Sequence, residues 1–135
     1  MMKKNNLRLI DANLNRLREG IRVVEDIFRY IYDDKITASK LKELRHQSRI
    51  DNYKDLLQSR DIKNDVLKKS TNSEQNRKNL ESILIANFKR AQESARVLEE
   101  FCKLVSSKDS ENFKYIRYEL YDLEIVLTNI TSNSK

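Results

Sequence analysis

Two stretches of this 135-residue chain carry the same polar residues at the same spacing: ANLNRLREGIRVVE at 12–25 and ANFKRAQESARVLE at 86–99. Seven positions coincide, and five of them are polar: Asn13/Asn87, Arg16/Arg90, Glu19/Glu93, Arg22/Arg96 and Glu25/Glu99. Guanidinium forks grip phosphate oxygens bidentately, and amides add orienting hydrogen bonds. Two Arg and two Asn brought to one place therefore read as a pocket for a phosphorylated ligand. Glu19, Glu93 and, from the intervening segment, Asp61 and Asp65 are carboxylates of the kind that hold Mg²⁺ together with substrate phosphates. A plainer reading is a ladder of helix-surface ion pairs, each contributing roughly a few tenths of a kcal/mol. Against it, the exposed neighbours Asn15/Lys89 and Arg18/Gln92 have diverged while the shared pairs persist.

The remaining reactive side chains are sparse. His46, next to Arg45, reads first as a packed or capping histidine and only second as a catalyst. Tyr115, Tyr118 and Tyr121 read as the edge of an amphipathic helix rather than a base-stacking platform. Cys102 falls on an apolar stripe; as the sole cysteine it excludes an intrachain disulfide and a multi-thiolate metal site. One glycine and no proline leave no Gly-rich phosphate loop, and the chain has no Walker A, dinucleotide, HExxH or Ser-His-Asp pattern. A phosphate site must then be built from Arg, Lys and helix N-termini.

The elements that would position these groups are helices. Ile10, Leu14, Leu17, Ile21, Val24 and Phe28 recur at three- and four-residue steps, predicting a long helix to about Tyr32. Asp33 and Asp34 make a short connection, Thr37 or Ser39 caps the next helix, and Leu41, Leu44 and Ser48 continue it, with a break near Asp51. Residues of about 58–72 lose periodicity and form a polar connection, a length at which loops are often functional. Thr71 and Glu74 make a capping box for a second long helix carrying Leu80, Leu84, Phe88, Ala91, Ala95, Leu98 and Cys102. Asp109 or Ser110 caps a last helix through Phe113, Ile116, Leu120, Leu127 and Ile130. LKELR at 41–45 falls over FKYIR at 113–117, pairing Arg45 with Arg117. The expectation is an all-α fold of four main helices: two repeated helical hairpins in a pseudo-twofold bundle. It forms a single helical domain, with repeat one at about 6–58 and repeat two at about 72–131.

The net charge of +6 favours an anionic partner. Basic residues alternate with acids along both long helices, which argues against a nucleic-acid track. No window of eighteen apolar residues and no leader pattern occur, so a cytoplasmic protein without membrane association is expected.

The stretches LRLIDANLNRLREGIRVVED, LKELRH, SRDIKNDV, ANFKRAQESARVLEEF and IRYELYDLE resemble the small bacterial hydroxymethylpyrimidine monophosphate kinases, which occur alone or fused in front of thiamin phosphate synthase. The resemblance runs along nearly the whole chain, and with no synthase region after Lys135 it implies a standalone form. Leu67 stands where fused relatives have Gly. The activity implied is transfer of the γ-phosphoryl group of ATP to the phosphate of 4-amino-5-hydroxymethyl-2-methylpyrimidine phosphate, with Mg²⁺. On that reading Arg16, Arg90, Glu19 and Glu93 are the catalytic set, and Arg22 and Arg96 bind phosphates. Asn13 and Asn87 orient the pyrimidine or its phosphate, Arg45, Arg117, Arg60 and Arg77 complete the substrate site, and Asp61 and Asp65 hold the metal. The segment from Arg60 to Arg77 would close over nucleotide. Partners implied are the small-molecule substrates, a possible homodimer and thiamin phosphate synthase. The alternative is a non-catalytic helical module that docks to that synthase, or to another protein through Val23/Ile27 and Val97/Phe101, or binds nucleic acid.

Overall fold

A computed structural model describes residues 4–51, 53–71 and 76–133, the last three without side chains. Every regular element in them is helical: α1 Lys4–Asp26, running into a π-helical turn Ile27–Ile31; α2 Lys35–Gln47; α3 Tyr53–Ser59; α4 Leu80–Cys102; α5 Ser107–Glu124; and α6 Leu127–Asn133. The long helices α1 and α4 pack along each other at the centre. α2 and α3 lie against α1, α5 lies against α4, and α2 meets α5 to close the bundle.

The apolar stripes read from the sequence are the faces that become buried. Leu17, Ile21, Phe28, Leu41, Leu84, Phe88, Leu98, Phe113 and Ile116 are fully enclosed, each contributing about 2 kcal/mol by leaving water. Gly20 sits at the tightest point of the α1–α4 contact. A Cβ there would lie 3.1 Å from the Asn87 carbonyl oxygen and 3.4 Å from the Ala91 Cβ.

Each long helix is tied to the helix that follows it by a buried ion pair. Arg45 of α2 donates from Nε and Nη2 to the two oxygens of Glu25, at 2.7 and 3.2 Å. Arg117 of α5 donates from Nε and Nη2 to Glu99 Oε1, at 3.0 and 2.8 Å. These guanidiniums, expected in the substrate site, are committed to carboxylates of their own hairpin.

Several boundaries differ from expectation. The first long helix ends through Asp33 in the left-handed region (φ 51°), with the Asp34 N–H reaching back to the Phe28 carbonyl at 2.8 Å. Asp34, not Thr37 or Ser39, caps α2, its Oδ1 accepting from the Thr37 N–H at 3.0 Å. The connection after α3 is longer than read: α4 starts at Leu80, capped by a reciprocal Asn79–Ser82 box. Thr71 stands outside the helix, and Glu74 lies outside the described residues. Ser106 caps α5, accepting from the Asp109 N–H, in place of Asp109 or Ser110.

The last helix breaks after Glu124, and the break is informative. It leaves the seven-residue α6, comparable in length to α3, but α3 packs along α1 whereas α6 makes no comparable contact with α4.

Candidate functional site

The N-terminal half of α1 and the segment following α3 border an open cleft of about 440 Å³ that carries charged groups on a partly apolar lining. Its walls include Asn13 and Arg16 from α1 and Arg60, Asp61 and Asp65 from the segment. Five of the residues singled out from sequence therefore meet in one place. Arg8, Asp11, Asn15 and Ile62, not singled out, also line it, beside Asn5, Leu9 and Ala12.

The cleft is pinned by two arginines. Arg60 donates from Nε and Nη2 to the two oxygens of Asp11, at 2.8 and 2.9 Å. The Asp11 carboxylate is buried, and its hydrogen bonds raise the Arg60 guanidinium above its ordinary range. Arg8 Nη2 donates to the Asp61 carbonyl oxygen at 2.9 Å. The Asp61 carboxylate in turn accepts from the Asn64 side-chain amide at 2.7 Å and the Asn64 N–H at 3.2 Å. These two bonds, with the Arg8 charge behind them, hold its carboxyl below the usual carboxylate range, so it is ionised at neutral pH. Asp65 accepts from the Leu67 N–H at 3.0 Å; Leu67 is thus bonded through its backbone, with its side chain exposed.

Arg16 is exposed at the cleft and has no hydrogen bond or ion pair to any described residue. An unpaired guanidinium beside paired ones is the group with capacity for an incoming anion. Asn13 is buried and donates from Nδ2 to the Leu9 carbonyl at 3.0 Å, leaving its carbonyl oxygen and second N–H.

The second set of repeated residues does not join this cleft. Asn87 makes the same backward bond as Asn13, from Nδ2 to the Ile83 carbonyl at 2.9 Å. Arg90 and Glu93 are exposed on α4, outside the cleft walls. Glu19 is exposed too and acts on Arg60 only through its charge. Arg22 pairs with Asp26 and Arg96 with Glu99 and Glu100, as helix-surface pairs. Arg77 lies away from the cleft, its Nη1 donating to the Asn76 carbonyl. Among the described residues no three His, Cys, Asp or Glu side chains come together as a metal cage. Mg²⁺ asks for less: one or two carboxylates suffice when substrate phosphates supply the remaining oxygens, and Asp61 and Asp65 fit that requirement.

His46 lines a different and larger recess, about 650 Å³, with Lys42, Glu43, Gln47, Arg49 and Lys108 between α2 and the start of α5. None of the repeated Asn or Arg residues reaches it. Burial pushes the Cys102 thiol up to about 11, which leaves it protonated and unreactive at neutral pH. Tyr118 and Tyr121 are exposed and stack against Arg117, at 4.8 and 5.7 Å from its guanidinium carbon. The expected apolar docking strip is not continuous, since Ile27 is buried and Phe101 packs against the core. No helix among the described residues is long and apolar enough to cross a membrane.

Asp11 and Arg8 carried one unread signal. The residues 74 positions on are Ile85 and Ser82, so a buried carboxylate and a cation face an exposed isoleucine and a capping serine in the second copy.

Comparison with known proteins adds a family. The ThiD2 family model matches residues 8–126. A thiamine-phosphate synthase of Prochlorococcus marinus is 39% identical over 93% of the chain. One of Thermosynechococcus vestitus is 38% identical over 90%, and one of Rhodopirellula baltica 35% identical over 96%. The matched region makes up 36%, 35% and 37% of those relatives, so the chain spans about a third of their length. No solved structure matches the chain.

Proposed function

This chain belongs to the ThiD2 family, and from that premise we propose that it is a phosphotransferase of thiamin biosynthesis, converting 4-amino-5-hydroxymethyl-2-methylpyrimidine phosphate to the diphosphate with ATP. The relatives' synthase name does not carry over by itself, because two-thirds of each relative lies outside the match. The single observation that supports a kinase best is the cleft: an unpaired Arg16 within the same walls as the ionised Asp61 and the side chain of Asp65.

The reaction asks for positioning more than for acid–base chemistry. An oxygen of the pyrimidine's phosphate attacks the γ-phosphorus of ATP, the bond to the β,γ-bridging oxygen breaks, and ADP departs with that electron pair. A phosphate monoester with a second pKa near ~6 is already largely dianionic at neutral pH, so no general base is needed. The cleft contains no histidine. Arg16 would hold and neutralise the transferring group, and Asn13 would orient the acceptor through its free amide atoms. Asp61 and Asp65 would hold Mg²⁺, which when bound supplies charge neutralisation between the phosphates. Arg60 is occupied by Asp11 and acts in this reading by shaping the cleft.

The test is ADP release from the purified chain given ATP, Mg²⁺ and the pyrimidine monophosphate, read against Arg16→Ala and Arg90→Ala. Turnover by the wild type and a loss of about 100-fold in Arg16→Ala are expected, from the magnitude of removing one charge-stabilising donor. Arg90→Ala should lose far less. A folded wild type that releases no ADP overturns the kinase, and full activity in Arg16→Ala overturns the cleft as its seat.

A further inference from the structure

We infer that the repeat-one cleft takes the nucleoside triphosphate with its divalent cation, and that Asp11, acting through Arg60, is the residue that positions it. The inference rests on the kinase reading and says which half of the duplicated fold receives the nucleotide.

The argument starts from which charges in the cleft are already satisfied. Three guanidiniums (Arg8, Arg16, Arg60) and three carboxylates (Asp11, Asp61, Asp65) line it. Asp11 and Arg60 saturate each other in a bidentate pair. Arg8 is engaged with the Asp61 carbonyl. The remaining groups are Arg16, with no partner, Arg8, whose charge meets only a carbonyl oxygen, and two carboxylates whose bonds to Asn64 and Leu67 leave lone pairs to spare. A free phosphate would be drawn to Arg16 and repelled by Asp61 and Asp65. A triphosphate carrying a divalent cation presents both signs, and matches both.

The second repeat keeps Asn87 and Arg90 but not the clasp that shapes this cleft. Ile85 replaces Asp11 and Ser82 replaces Arg8. Lys89 stands in place of Asn15 and is paired with Glu124 at 3.6 Å. Arg90 and Glu93 are exposed on α4. Among the described residues the surface that matches a nucleotide–cation complex is the repeat-one cleft.

Asp11 matters because of what it holds. Residues 60–65 are joined to α1 by two sets of hydrogen bonds, Arg60 to Asp11 and Arg8 to the Asp61 carbonyl. The segment bearing the two cation-binding carboxylates hangs from that clasp. Asp11 is buried and carries a ready partner, so it touches the ligand only through Arg60; it is a positioning residue.

The test is isothermal titration of the full chain with a non-hydrolysable ATP analogue, in Mg²⁺ and in EDTA, so that binding is read without turnover. Wild type should bind in Mg²⁺ and lose at least tenfold in affinity in EDTA. Asp61→Asn should bind equally weakly in both. Asp11→Asn should raise Kd in Mg²⁺ about tenfold, the loss of one well-placed ionic contact's effect, and the swapped pair Asp11→Arg with Arg60→Asp should recover part of it, a rescue that a lost fold would not give. Lys89→Ala, in the second repeat, should leave Kd unchanged. Binding indifferent to Mg²⁺, or an unchanged Kd in folded Asp11→Asn, overturns the inference. So does Asp11→Asn that binds weakly with no recovery in a folded swapped pair. Turnover by the wild type with Asp11 and Asp61 both dispensable would sink this site and leave the kinase standing; tight Mg²⁺-dependent binding without turnover would do the reverse.

Discussion

The two repeats share their clasps and differ in their clefts. In the first, Glu25 and Arg45 are 20 residues apart; in the second, Glu99 and Arg117 are 18 apart, and both pairs are buried bidentate or near-bidentate ties between a long helix and its successor. The two extra residues fall where the first repeat makes its π-helical turn and sets Asp33 in the left-handed region. The backward amide bonds of Asn13 and Asn87 are likewise the same. Asp11, by contrast, has no counterpart. Most of the duplicated polar residues are thus accounted for by what each hairpin needs in order to fold, and the cleft stands where one copy departed from the other.

The sharpest way to break this comparison is to remove a clasp. Glu25→Ala and Glu99→Ala each deprive a guanidinium only 13% exposed of its hydrogen-bonded carboxylate. Such losses typically cost about 3–5 kcal/mol, and urea midpoints would read them. If the clasps were equivalent the two variants would lose the same amount. They should not, because Arg117 also lies against the Tyr118 and Tyr121 rings, whereas Arg45 meets no ring among the described residues. Glu25→Ala should therefore be the worse of the two. A larger loss in Glu99→Ala would mean that the tyrosines do not support the second clasp.

This division between fold and site also explains what could be read from the residues alone. Leu17, Ile21, Leu84 and Phe88 announced the long helices because a stripe several turns long is a strong periodic signal, and the structure buries them all. The caps were misplaced because Ser, Thr, Asn and Asp crowd every connection, and which one takes the orphan N–H depends on where the chain turns. The clasp was invisible because a buried Glu25 looks like any exposed helix glutamate until the partner 20 residues on is placed beside it. Asp61, Asp65 and Arg16 were legible as chemistry, while Asp11, which holds the segment in place, was not, since its partner Arg60 is 49 residues away.

A smaller effect sharpens the comparison at the helix crossing. Gly20 and Ser94 are equivalent positions, both buried. Alanine at 20 would gain roughly 1 kcal/mol of helix propensity, but its Cβ meets the Asn87 carbonyl at 3.1 Å, a backbone atom of a helix that cannot step aside alone. Overpacking of this kind costs about 1–3 kcal/mol, so Gly20→Ala should come out about 1 kcal/mol less stable by urea denaturation. Ser94→Ala keeps a Cβ that already fits and breaks no hydrogen bond to a described residue, so it should fall within about 0.5 kcal/mol of wild type. A stabilised Gly20→Ala would show that α1 and α4 can separate at their crossing without loss.

The smallest effects belong to Arg22 and Arg96, identical in both copies yet 51% and 53% exposed. Arg22 reaches Asp26 four residues on at 3.3 Å, and exposed pairs of this kind contribute about 0.2–1 kcal/mol that salt erodes. Arg96 contacts Glu99 at 3.2 Å as well as Glu100 at 3.3 Å, and Glu99 is the carboxylate of the second clasp. Arg96→Ala should then cost slightly more than Arg22→Ala, with the difference vanishing in 1 M NaCl if it comes from exposed charge, and persisting if Arg96 helps to fix Glu99 for Arg117. The same two variants decide whether these arginines belong to the fold or to a phosphate. Melting temperatures that barely move while the Michaelis constant for either substrate rises severalfold would assign them to the ligand; unchanged kinetics would leave them as the outer rail of each clasp.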